Sequence, residues 1–531
     1  MSLIQAKDLS LNIHNQKILN NLNFEANMGE ILGIIGESGS GKSMTANSII
    51  QLLPHGASLS GEIIFDNKNL LNISEEKMCN IRGKDIGFIF QEPMTALNPL
   101  KNIGDQVSEV IKLHLSITLK DSIQMAAKVL QRVGLPQEKF PLTRYPFELS
   151  GGQRQRVVIA MAIAIKPKLL IADEPSTALD VTTQAKLIQL LKKLVSEDDL
   201  CLIMITHDLA VIAEMADKII IMKEGEIIES GSINILKKGL KSVYSKTLFA
   251  ASDYKSKTIN KIPSVKTLLE VKNVSRDYSD NSISFFKSKK IFKAVNNVSF
   301  NINYNENVGL VGESGCGKST ITRAILGLDP ISQGKITLEA DEIKAENVDN
   351  EIRKKIQVVF QDPFGSFNPR HNVFKLVSEP LFLQKEKVKE KEKYELVEDL
   401  LLRVGLKASD SKKYIHEFSG GQRQRIAIAR SLIVKPKLII LDEAVSALDV
   451  SIRAQILDLL VELSENFGLS YLFISHDLSL VQSITTKVLV MKSGEIVEAG
   501  ETADVFKFPK HEYTKTLLDS SPNLQKALKK L

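Results

Sequence analysis

One ordered set of short motifs occurs twice in this chain of 531 residues. GESGSGKS at Gly36–Ser43 recurs as GESGCGKS at Gly312–Ser319, and LSGGQRQR at Leu149–Arg156 recurs as FSGGQRQR at Phe418–Arg425. The two lysines of the first motif are 318 − 42 = 276 positions apart, and from the second motif onward the spacing is constant at 419 − 150 = 269. A spacing this regular indicates that a whole domain is duplicated.

The repeat divides the chain into two domains and a linker. We expect the first domain at 1–251, a linker at 252–266 and the second domain at 267–531. The linker segment is rich in lysine and serine, which is typical of an exposed connection. The extra length before the second glycine-rich motif falls around Ser279–Lys290 and predicts a loop insertion.

Composition excludes several classes of protein. Hydrophobic residues make up 43% and charged residues 25%, which is ordinary for a globular chain, and the net charge is only +6. The absence of tryptophan and the modest basic charge argue against nucleic acid as a partner. Cys79, Cys201 and Cys316 are too far apart for a disulfide framework or a zinc motif. No secretory signal or run of 18 apolar residues is visible, so a role at a membrane requires other subunits to cross it.

Four short apolar runs predict strands that are buried on both faces of a largely parallel sheet. They are Ile31–Ile35, Leu169–Ala172, Val308–Val311 and Leu438–Leu441. These strands predict an α/β fold. Because ligands in such folds bind at the carboxyl ends of the strands, we expect the functional residues at these four ends.

The segment between Gln91 and Ser150 predicts a separate helical unit. Apolar residues recur there at helical spacing, and Asp121 is expected to cap the second helix. The positions expected in its core are Ile103, Val107, Val110, Ile111, Ile123, Ala127, Leu130 and Val133. The second half repeats this unit with Val397, Leu400, Leu401 and Val404.

The glycine-rich motif predicts a phosphate-binding P-loop in each half. Glycines let successive backbone N–H groups surround a phosphate at a helix N-terminus, while the lysine reaches the β- and γ-phosphates of ATP and the final serine ligates Mg²⁺. The predicted nucleotide-binding residues are Gly36, Glu37, Ser38, Gly39, Ser40, Gly41, Lys42 and Ser43, and Gly312, Glu313, Ser314, Gly315, Cys316, Gly317, Lys318 and Ser319.

An Asp-Glu pair follows the second buried strand of each half. Asp173 and Asp442 lie where a carboxylate can hold the magnesium ion. Glu174 and Glu443 come next and are suited to orienting or deprotonating the attacking water.

The SGGQ motif predicts a second anion site, because a serine caps a helix that opens with glycines. With this motif in place the chain resembles the ATP-binding-cassette (ABC) ATPases over essentially its whole length. The resemblance implies two tandem P-loop NTPase domains, each with a mainly parallel core sheet, an antiparallel β subdomain and an inserted helical subdomain. It also implies that each SGGQ signature completes the ATP site of the opposite domain.

The resemblance assigns two composite ATP sites, both expected to hydrolyse ATP. The first composite site would hold Gly36–Ser43, Gln91, Asp173, Glu174 and His207, closed by Ser419, Gly420, Gly421 and Gln422. The second would hold Gly312–Ser319, Gln361, Asp442, Glu443 and His476, closed by Ser150, Gly151, Gly152 and Gln153. Gln91 and Gln361 are also candidate magnesium ligands, and Asp180 and Asp449 resemble the D-loop aspartates that link the sites.

The adenine-stacking loop departs from the family pattern. Its aromatic residue is not evident in the first half, where Ile13 and His14 occupy the region, whereas Tyr278 or Phe292 could serve in the second half.

The runs QEPMTALNP at Gln91–Pro99 and QDPFGSFNP at Gln361–Pro369 resemble the ATPases of peptide/nickel importers, as does HEYTKTLL at His511–Leu518. Because its two ATPase domains are fused in one chain, the protein is similar to the ATPase of microcin C-type peptide importers. This implies Mg²⁺ and ATP as cofactors, two integral-membrane permeases and a solute-binding protein as partners, and peripheral attachment at the cytoplasmic face of the inner membrane. The cysteine cluster of some members is absent, so no iron–sulfur cluster is expected.

Two other classes remain as alternatives. Soluble twin-cassette ATPases that act on ribosomes carry a long, charged helical linker, whereas the linker here is short. Cassette proteins of DNA repair carry zinc cysteines, which this chain lacks. The transported substrate, and whether the two sites turn over equally, do not follow from the sequence.

Overall fold

The computed structural model describes residues 2–176, 179–252, 254, 264–279, 291–386, 388–446 and 448–530. The expected linker and the expected insertion before the second P-loop therefore lie largely outside the described residues. Each half contains one six-stranded sheet and one four-stranded sheet.

The first half begins with paired strands and then alternates between strands and helices. Its strands are β1 (Ser2–Ile13), β2 (Gln16–Asn27), β3 (Ile31–Gly36), β4 (Ala57–Phe65), β5 (Lys68–Asn69), β6 (Ile86–Ile89), β7 (Leu169–Asp173), β8 (Cys201–Ile205), β9 (Lys218–Lys223) and β10 (Glu226–Ser232). Its helices are α1 (Lys42–Ile49), α2 (Glu75–Ile81), α3 (Pro93–Ala96), α4 (Ile103–His114), α5 (Leu119–Arg132), α6 (Gly151–Ile163), α7 (Val181–Asp198), α8 (Leu209–Met215), α9 (Ile235–Lys238) and α10 (Val243–Ser252).

The second half repeats this order of elements. Its strands are β11 (Thr267–Ser279), β12 (Ile291–Asn303), β13 (Asn307–Val311), β14 (Gln333–Leu338), β15 (Asp341–Glu342), β16 (Ile356–Val359), β17 (Leu438–Asp442), β18 (Ser470–Ile474), β19 (Lys487–Lys492) and β20 (Glu495–Glu501). Its helices are α11 (Lys318–Ile325), α12 (Asn350–Lys355), α13 (Val373–Ser378), α14 (Glu390–Arg403), α15 (Gly420–Leu432), α16 (Val450–Phe467), α17 (Leu478–Ile484), α18 (Thr502–Lys507), α19 (Glu512–Ser520) and α20 (Leu524–Lys530).

The core sheet of the first half has the strand order β10-β9-β3-β8-β7-β6, and all neighbours pair in parallel except β10 with β9. The second half has the same order in β20-β19-β13-β18-β17-β16. Strands β3 and β7 are buried at every residue, as expected of apolar strands covered on both faces. A four-stranded antiparallel sheet completes each half, as β2-β1-β4-β5 and β12-β11-β14-β15. The expected α/β fold is confirmed.

The helical unit after the first glutamine consists of α3, α4 and α5, and two details differ from expectation. Thr118 caps α5, since its Oγ1 accepts a hydrogen bond from the backbone N–H of Asp121, so Asp121 is not the cap. Ile123 is exposed rather than part of the core. The buried face of α5 instead includes Ser122, whose hydroxyl donates to the carbonyl of Leu119 within the same helix.

The two halves pack on each other through their C-terminal helices. Helix α10 of the first half contacts α16 of the second, while α19 and α20 of the second half contact α7 and α8 of the first. Leu524 and Ala527 of α20 are buried in a core cluster that is otherwise built from the first half. In the part of the chain that the structure describes, no helix is long and apolar enough to span a bilayer.

Candidate ATP-binding sites

Each P-loop lies between a buried strand and the helix that follows it, at the carboxyl edge of the core sheet. In the first half the chain leaves β3 at Gly36 and enters α1 at Lys42. Gly41 has φ 98°, and a Cβ there would lie 2.7 Å from Leu19 Cδ2, so glycine is required at this turn. The lysine is folded back into its own loop, with Lys42 Nζ donating to the carbonyls of Gly36 (2.9 Å) and Glu37 (2.8 Å).

The second P-loop has the same arrangement. Lys318 Nζ donates to the carbonyl oxygens of Gly312 at 2.8 Å and Glu313 at 2.9 Å. Burial lowers the pKa of Lys42, and the carboxylates of Glu174, Asp449 and Asp173 oppose that shift. A buried ammonium held by carbonyl oxygens is available to exchange them for phosphate oxygens.

A carboxylate and a hydroxyl meet beside the first P-loop. Ser43 Oγ donates to Asp173 Oδ1 over 3.1 Å. Burial raises the pKa of Asp173 to about 6, and the neighbouring Glu174 adds to this, while the bond from Ser43 lowers it. In the second half burial likewise raises the pKa of Asp442. Two oxygen donors on a buried, electron-rich edge suit Mg²⁺, which binds one or two protein oxygens together with phosphates and water.

Each predicted catalytic glutamate is held between the predicted glutamine and histidine of its own half. Gln91 Nε2 donates to Glu174 Oε2 at 3.0 Å, and His207 Nδ1 lies 3.3 Å from Glu174 Oε1. Gln361 Nε2 donates to Glu443 Oε2 at 3.0 Å, and His476 Nδ1 lies 3.4 Å from the same oxygen.

Both glutamates have a strained backbone. Glu174 has φ 45° and Glu443 has φ 50°, a left-handed conformation that costs roughly 1–3 kcal/mol for a residue other than glycine. Burial raises the pKa of Glu443, but its hydrogen bond to His476 and the charge of Lys318 outweigh this, so the net shift is downward. Such a glutamate is ionised at neutral pH and fixed in direction.

The signature motifs form N-terminal capping boxes. Ser150 Oγ accepts from the N–H of Gln153 at 3.4 Å, and Gln153 Oε1 accepts from the N–H of Ser150 at 2.9 Å. Ser419 and Gln422 repeat both bonds at 3.4 and 3.0 Å. The capping leaves the first N–H groups of α6 and α15 directed outward at a helix N-terminus, where anions bind favourably.

Contacts across the halves join each D-loop region to the opposite P-loop. Ser38 N donates to Asp449 Oδ1 at 2.8 Å. In the other direction Thr182 Oγ1 donates to Glu313 Oε1 at 2.6 Å. The two P-loops are therefore each in contact with the other half.

The signatures lie beside these crossing contacts. A Cβ on Gly152 would lie 2.3 Å from Thr183 Cγ2, and one on Gly421 would lie 2.4 Å from Ile452 Cγ2. Thr183 directly follows Thr182, and Ile452 lies three residues after Asp449, so both are next to or near the residues that contact the opposite P-loop. Each signature is thus packed against the segment of its own half that touches the other P-loop.

The second glycine of each signature should be intolerant of a side chain. Replacing Gly152 or Gly421 by alanine is expected to lower the free energy of unfolding by roughly 1–3 kcal/mol, because β-branched neighbours leave no room for a methyl group. Thermal denaturation of each variant measures this. The matched controls are Gly151→Ala and Gly420→Ala, where nothing lies within 4 Å of the added carbon. Equal destabilisation by the variants and their controls would contradict the packing described.

Sequence reasoning missed a tyrosine that supports each P-loop. The backbone N–H of Glu37 donates to Tyr244 Oη at 3.3 Å, and that of Glu313 donates to Tyr513 Oη at 3.0 Å. Both tyrosines come from a helix near the end of their own half, 207 and 200 residues further along the chain than Glu37 and Glu313. Their identical spacing in the repeat was the one signal that could have singled them out.

The expected adenine region is built differently in the two halves. His14 lies in a tight turn, and its ring occupies the space beside Gly56. In the second half Tyr278 and Phe292 pair across β11 and β12, and the guanidinium of Arg276 lies 4.6 Å from the Tyr278 ring centre. An exposed aromatic pair is therefore present in the second half, at the place where the sequence suggested one.

Comparison with known families decides the identity of these domains. The model described as "ABC transporter" matches residues 19–177 and 295–446. This chain belongs to the ABC transporter ATPase family. A second model, described as "Oligopeptide/dipeptide transporter, C-terminal region", matches residues 497–531.

Relatives share this organisation over nearly the whole chain. The cassette pair is 40% identical over 540 residues to the peptidoglycan transport ATP-binding protein YejF of Agrobacterium fabrum, covering 98% of this chain and 97% of that protein. It is 39% identical over 559 residues to the glutathione import ATP-binding protein GsiA of Pectobacterium atrosepticum, covering 98% and 89%. A dimeric post-hydrolysis structure of the ATP-binding cassette MJ0796 with ADP and Pi is 28% identical, with a TM-score of 0.40, and spans 44% of this chain and 99% of that one.

The family assignment confirms the expectation of a tandem ABC ATPase that binds and hydrolyses ATP. As the ATP-binding subunit of a transport system, the cassette pair works with partner subunits in a membrane. The relatives named above are transport and import proteins, so they favour the importer class over the ribosome-acting alternative.

Proposed function

We propose that this chain energises a membrane importer of peptides or related small solutes, from the cytoplasmic face of the inner membrane. The observation that carries the proposal is the match of residues 497–531 to the C-terminal region of oligopeptide/dipeptide transporters. The glutathione and peptidoglycan transport roles of the relatives fit the same class of cargo. The partners are two integral-membrane permeases and a solute-binding protein, and the chain is held at the membrane only through the permeases.

In this proposal two ATP molecules join the halves and hydrolysis separates them. Lys42 and Lys318 exchange their loop carbonyls for phosphate oxygens, and the opposite signature supplies N–H donors to the same nucleotide. Mg²⁺ would be held by Ser43 with Asp173 and by Ser319 with Asp442, with Gln91 and Gln361 close by, and it supplies charge neutralisation for the phosphates. The fit rests on the hydrogen-bonded Ser43–Asp173 oxygen pair, in which Asp173 is buried, and on the partial burial of Asp442 in the second half.

The chain's own residues prepare the attacking water. Glu174 and Glu443 accept its proton or orient it, and each is fixed by its glutamine and its histidine. When a γ-phosphate enters, Gln91 and Gln361 must give up or share these bonds. They stand at the start of the helical units, so they are placed to pass that change to the membrane partner.

Exposed apolar side chains in the segments that follow these glutamines support permease docking. Met94, Leu100 and Phe147 of the first half are 61%, 86% and 69% exposed, and Phe364 and Phe382 of the second half are 44% and 70% exposed. Contiguous apolar patches mark interaction surfaces, and all five side chains belong to the segments between the glutamine and the signature of their own half. We call this set the docking surface. It offers the apolar face that a short amphipathic helix of a permease needs.

Two negative expectations belong to the proposal. Nucleic acid is not a partner, on the grounds of composition given above. No iron–sulfur cluster is expected, because the three cysteines are far apart in the sequence, with Cys79 exposed and Cys201 and Cys316 buried.

A pull-down of the tagged chain from detergent-solubilised membranes, followed by mass spectrometry, tests the proposal. Two multi-spanning permeases are expected, and their loss is expected in a Met94→Asp/Phe147→Asp variant. Phe508→Asp is the matched control, since Phe508 is equally exposed at 66% and lies outside the docking surface. Recovery of ribosomal proteins without permeases would overturn the proposal and leave the ATP sites as described.

A further inference from the structure

The two halves carry side chains of different charge at one pair of equivalent positions beside a cavity that lies between them. This cavity has a volume of about 240 Å³ and is lined by His207 and Asp208 of the first half and by His476 and Asp477 of the second. Arg453 lines it as well, and its counterpart in the repeat, at 453 − 269 = 184, is Gln184. Both side chains come from the first turn of the helix that follows the D-loop, in α16 and α7 respectively.

Arg453 ties the D-loop of the second half to the residue after its histidine. Arg453 Nη2 donates to the carbonyls of Leu448 at 3.0 Å and Ser446 at 3.5 Å, and Nη1 donates to Asp477 Oδ2 at 3.4 Å. The side chain is largely buried, at 16% exposure, which strengthens charge-assisted bonds. Gln184 instead makes a neutral bond of 3.5 Å to Ser176 Oγ.

The guanidinium also acts across the interface. Burial raises the pKa of Asp208, and the charge of Asp477 adds to that shift, whereas His207 and Arg453 oppose it. The positive charge of Arg453 therefore stabilises carboxylates of both halves, Asp208 and Asp477, and it is supplied by the second half, since the equivalent residue of the first half is the neutral Gln184.

The D-loop aspartates are engaged differently as well. Asp449 offers its carboxylate to Ser38 N of the opposite P-loop, and its own helix receives no side-chain cap from it. Asp180 caps its own helix, accepting from Thr183 N and Thr183 Oγ1, both at 3.0 Å. Ile452 stands where Thr183 does and has no hydroxyl to retain the aspartate.

We propose that Arg453 is a positioning residue that keeps the D-loop of the second half in place, so that the first composite site hydrolyses ATP faster than the second. The inference rests on the composite-site assignment made under the proposed function. The D-loop of the second half contacts the P-loop of the first composite site. If this D-loop is already held in position, it loses less conformational freedom when that site closes, which raises the rate of ATP hydrolysis at that site alone. Among the residues that the structure describes, Gln184 offers the D-loop of the first half only its neutral bond to Ser176.

Vanadate trapping of a photoreactive azido-ATP, with the labelled peptides mapped to each half by mass spectrometry, tests the inference on the intact chain. The fraction of the label found in each half after turnover is compared with the fraction bound to each half at low temperature without turnover. This comparison corrects for any difference in labelling efficiency between the two halves. Trapping is expected to favour the first half. In Arg453→Gln, trapping there is expected to fall on the order of tenfold, the effect of removing a charge-assisted bond from a positioned segment.

Gln184→Arg is the reciprocal variant and is expected to raise the share trapped in the second half. A purely structural role for Arg453 would lower trapping in both halves equally. Equal trapping in the two halves of the unmodified chain, or an unchanged bias in Arg453→Gln, would overturn the inference. Absence of trapping in both halves of the unmodified chain would instead contradict the proposed ATP sites themselves, so the two failures are distinguishable.

Discussion

Replacing Lys42 and Lys318 together by alanine is expected to lower the rate of ATP hydrolysis by on the order of 10²–10³-fold, the usual effect of losing a preorganised charge that stabilises the transition state. Each ammonium is buried and already lies among the carbonyls of its loop, with Nζ 2.8 to 2.9 Å from them. Little rearrangement is therefore needed to meet a phosphate. Phosphate release from purified protein measures the change.

The matched control for this pair is Lys112→Ala/Lys391→Ala, which removes the same two charges from exposed positions in α4 and α14. That variant should retain its activity. An unchanged rate in the Lys42→Ala/Lys318→Ala protein would refute the assignment of both P-loops. Equal losses in the two double variants would show that net charge, rather than the loops, had been tested.

The second large effect is expected when Glu174 and Glu443 are both replaced by glutamine. Removing the general base should lower hydrolysis by about 10²–10⁴-fold while the phosphate contacts remain. Glutamine also removes a negative charge that faces the γ-phosphate, so ATP should be retained between the closed halves. The ATP that stays with the protein through gel filtration measures this retention.

Glu76→Gln/Glu346→Gln is the control, because these glutamates are exposed and far along the chain from the P-loops. It should hydrolyse ATP normally and retain none. Rapid turnover in the Glu174→Gln/Glu443→Gln protein would mean that another group positions the water. Loss of ATP binding in that protein would mean that the glutamates hold the nucleotide instead.

Local signals in the sequence were sufficient to predict the fold and the ATP-site residues that each half contributes. The P-loop, the Asp-Glu pair and the capped signature each depend on contiguous residues whose conformation is set by neighbours in the chain, such as Ser150 with Gln153. Buried parallel strands are nearly uniform in apolar character, so β3 and β7 were recognisable from composition alone.

Predictions at the level of a helix face were less accurate. The apolar spacing placed Ile123 in the core, yet the buried stripe of α5 runs through Ser122, Ala126 and Leu130. A small hydroxyl that bonds to its own helix can be buried at little cost, and no periodicity of apolar residues reveals it. Thr118 was likewise passed over for Asp121, although either residue type can cap a helix.

Contacts between residues that are distant in the chain, within one half or across the two, could not be read from the sequence. Arg453, Thr182 and Tyr244 reach their partners only because the packing of distant helices brings them there. Comparing equivalent positions of the two copies nevertheless gives an indirect signal for residues of this kind. Where the copies agree, as at Tyr244 and Tyr513, they indicate a shared role, and where they differ, as at Gln184 and Arg453, they mark positions at which the two halves are not equivalent.

Each ATP is proposed to lie between the P-loop of one half and the signature of the other, and retention of ATP by paired variants tests this arrangement most directly. In the Glu174→Gln/Glu443→Gln protein, Lys42→Ala is combined either with Ser419→Arg or with Ser150→Arg. Lys42→Ala and Ser419→Arg both damage the first composite site, so their effects should not add. The second composite site is untouched, and this variant should still retain about one ATP per chain. The Ser150→Arg pair damages both composite sites and should retain almost none. The reverse result, with retention in the Ser150→Arg pair and loss in the Ser419→Arg pair, would contradict the head-to-tail arrangement.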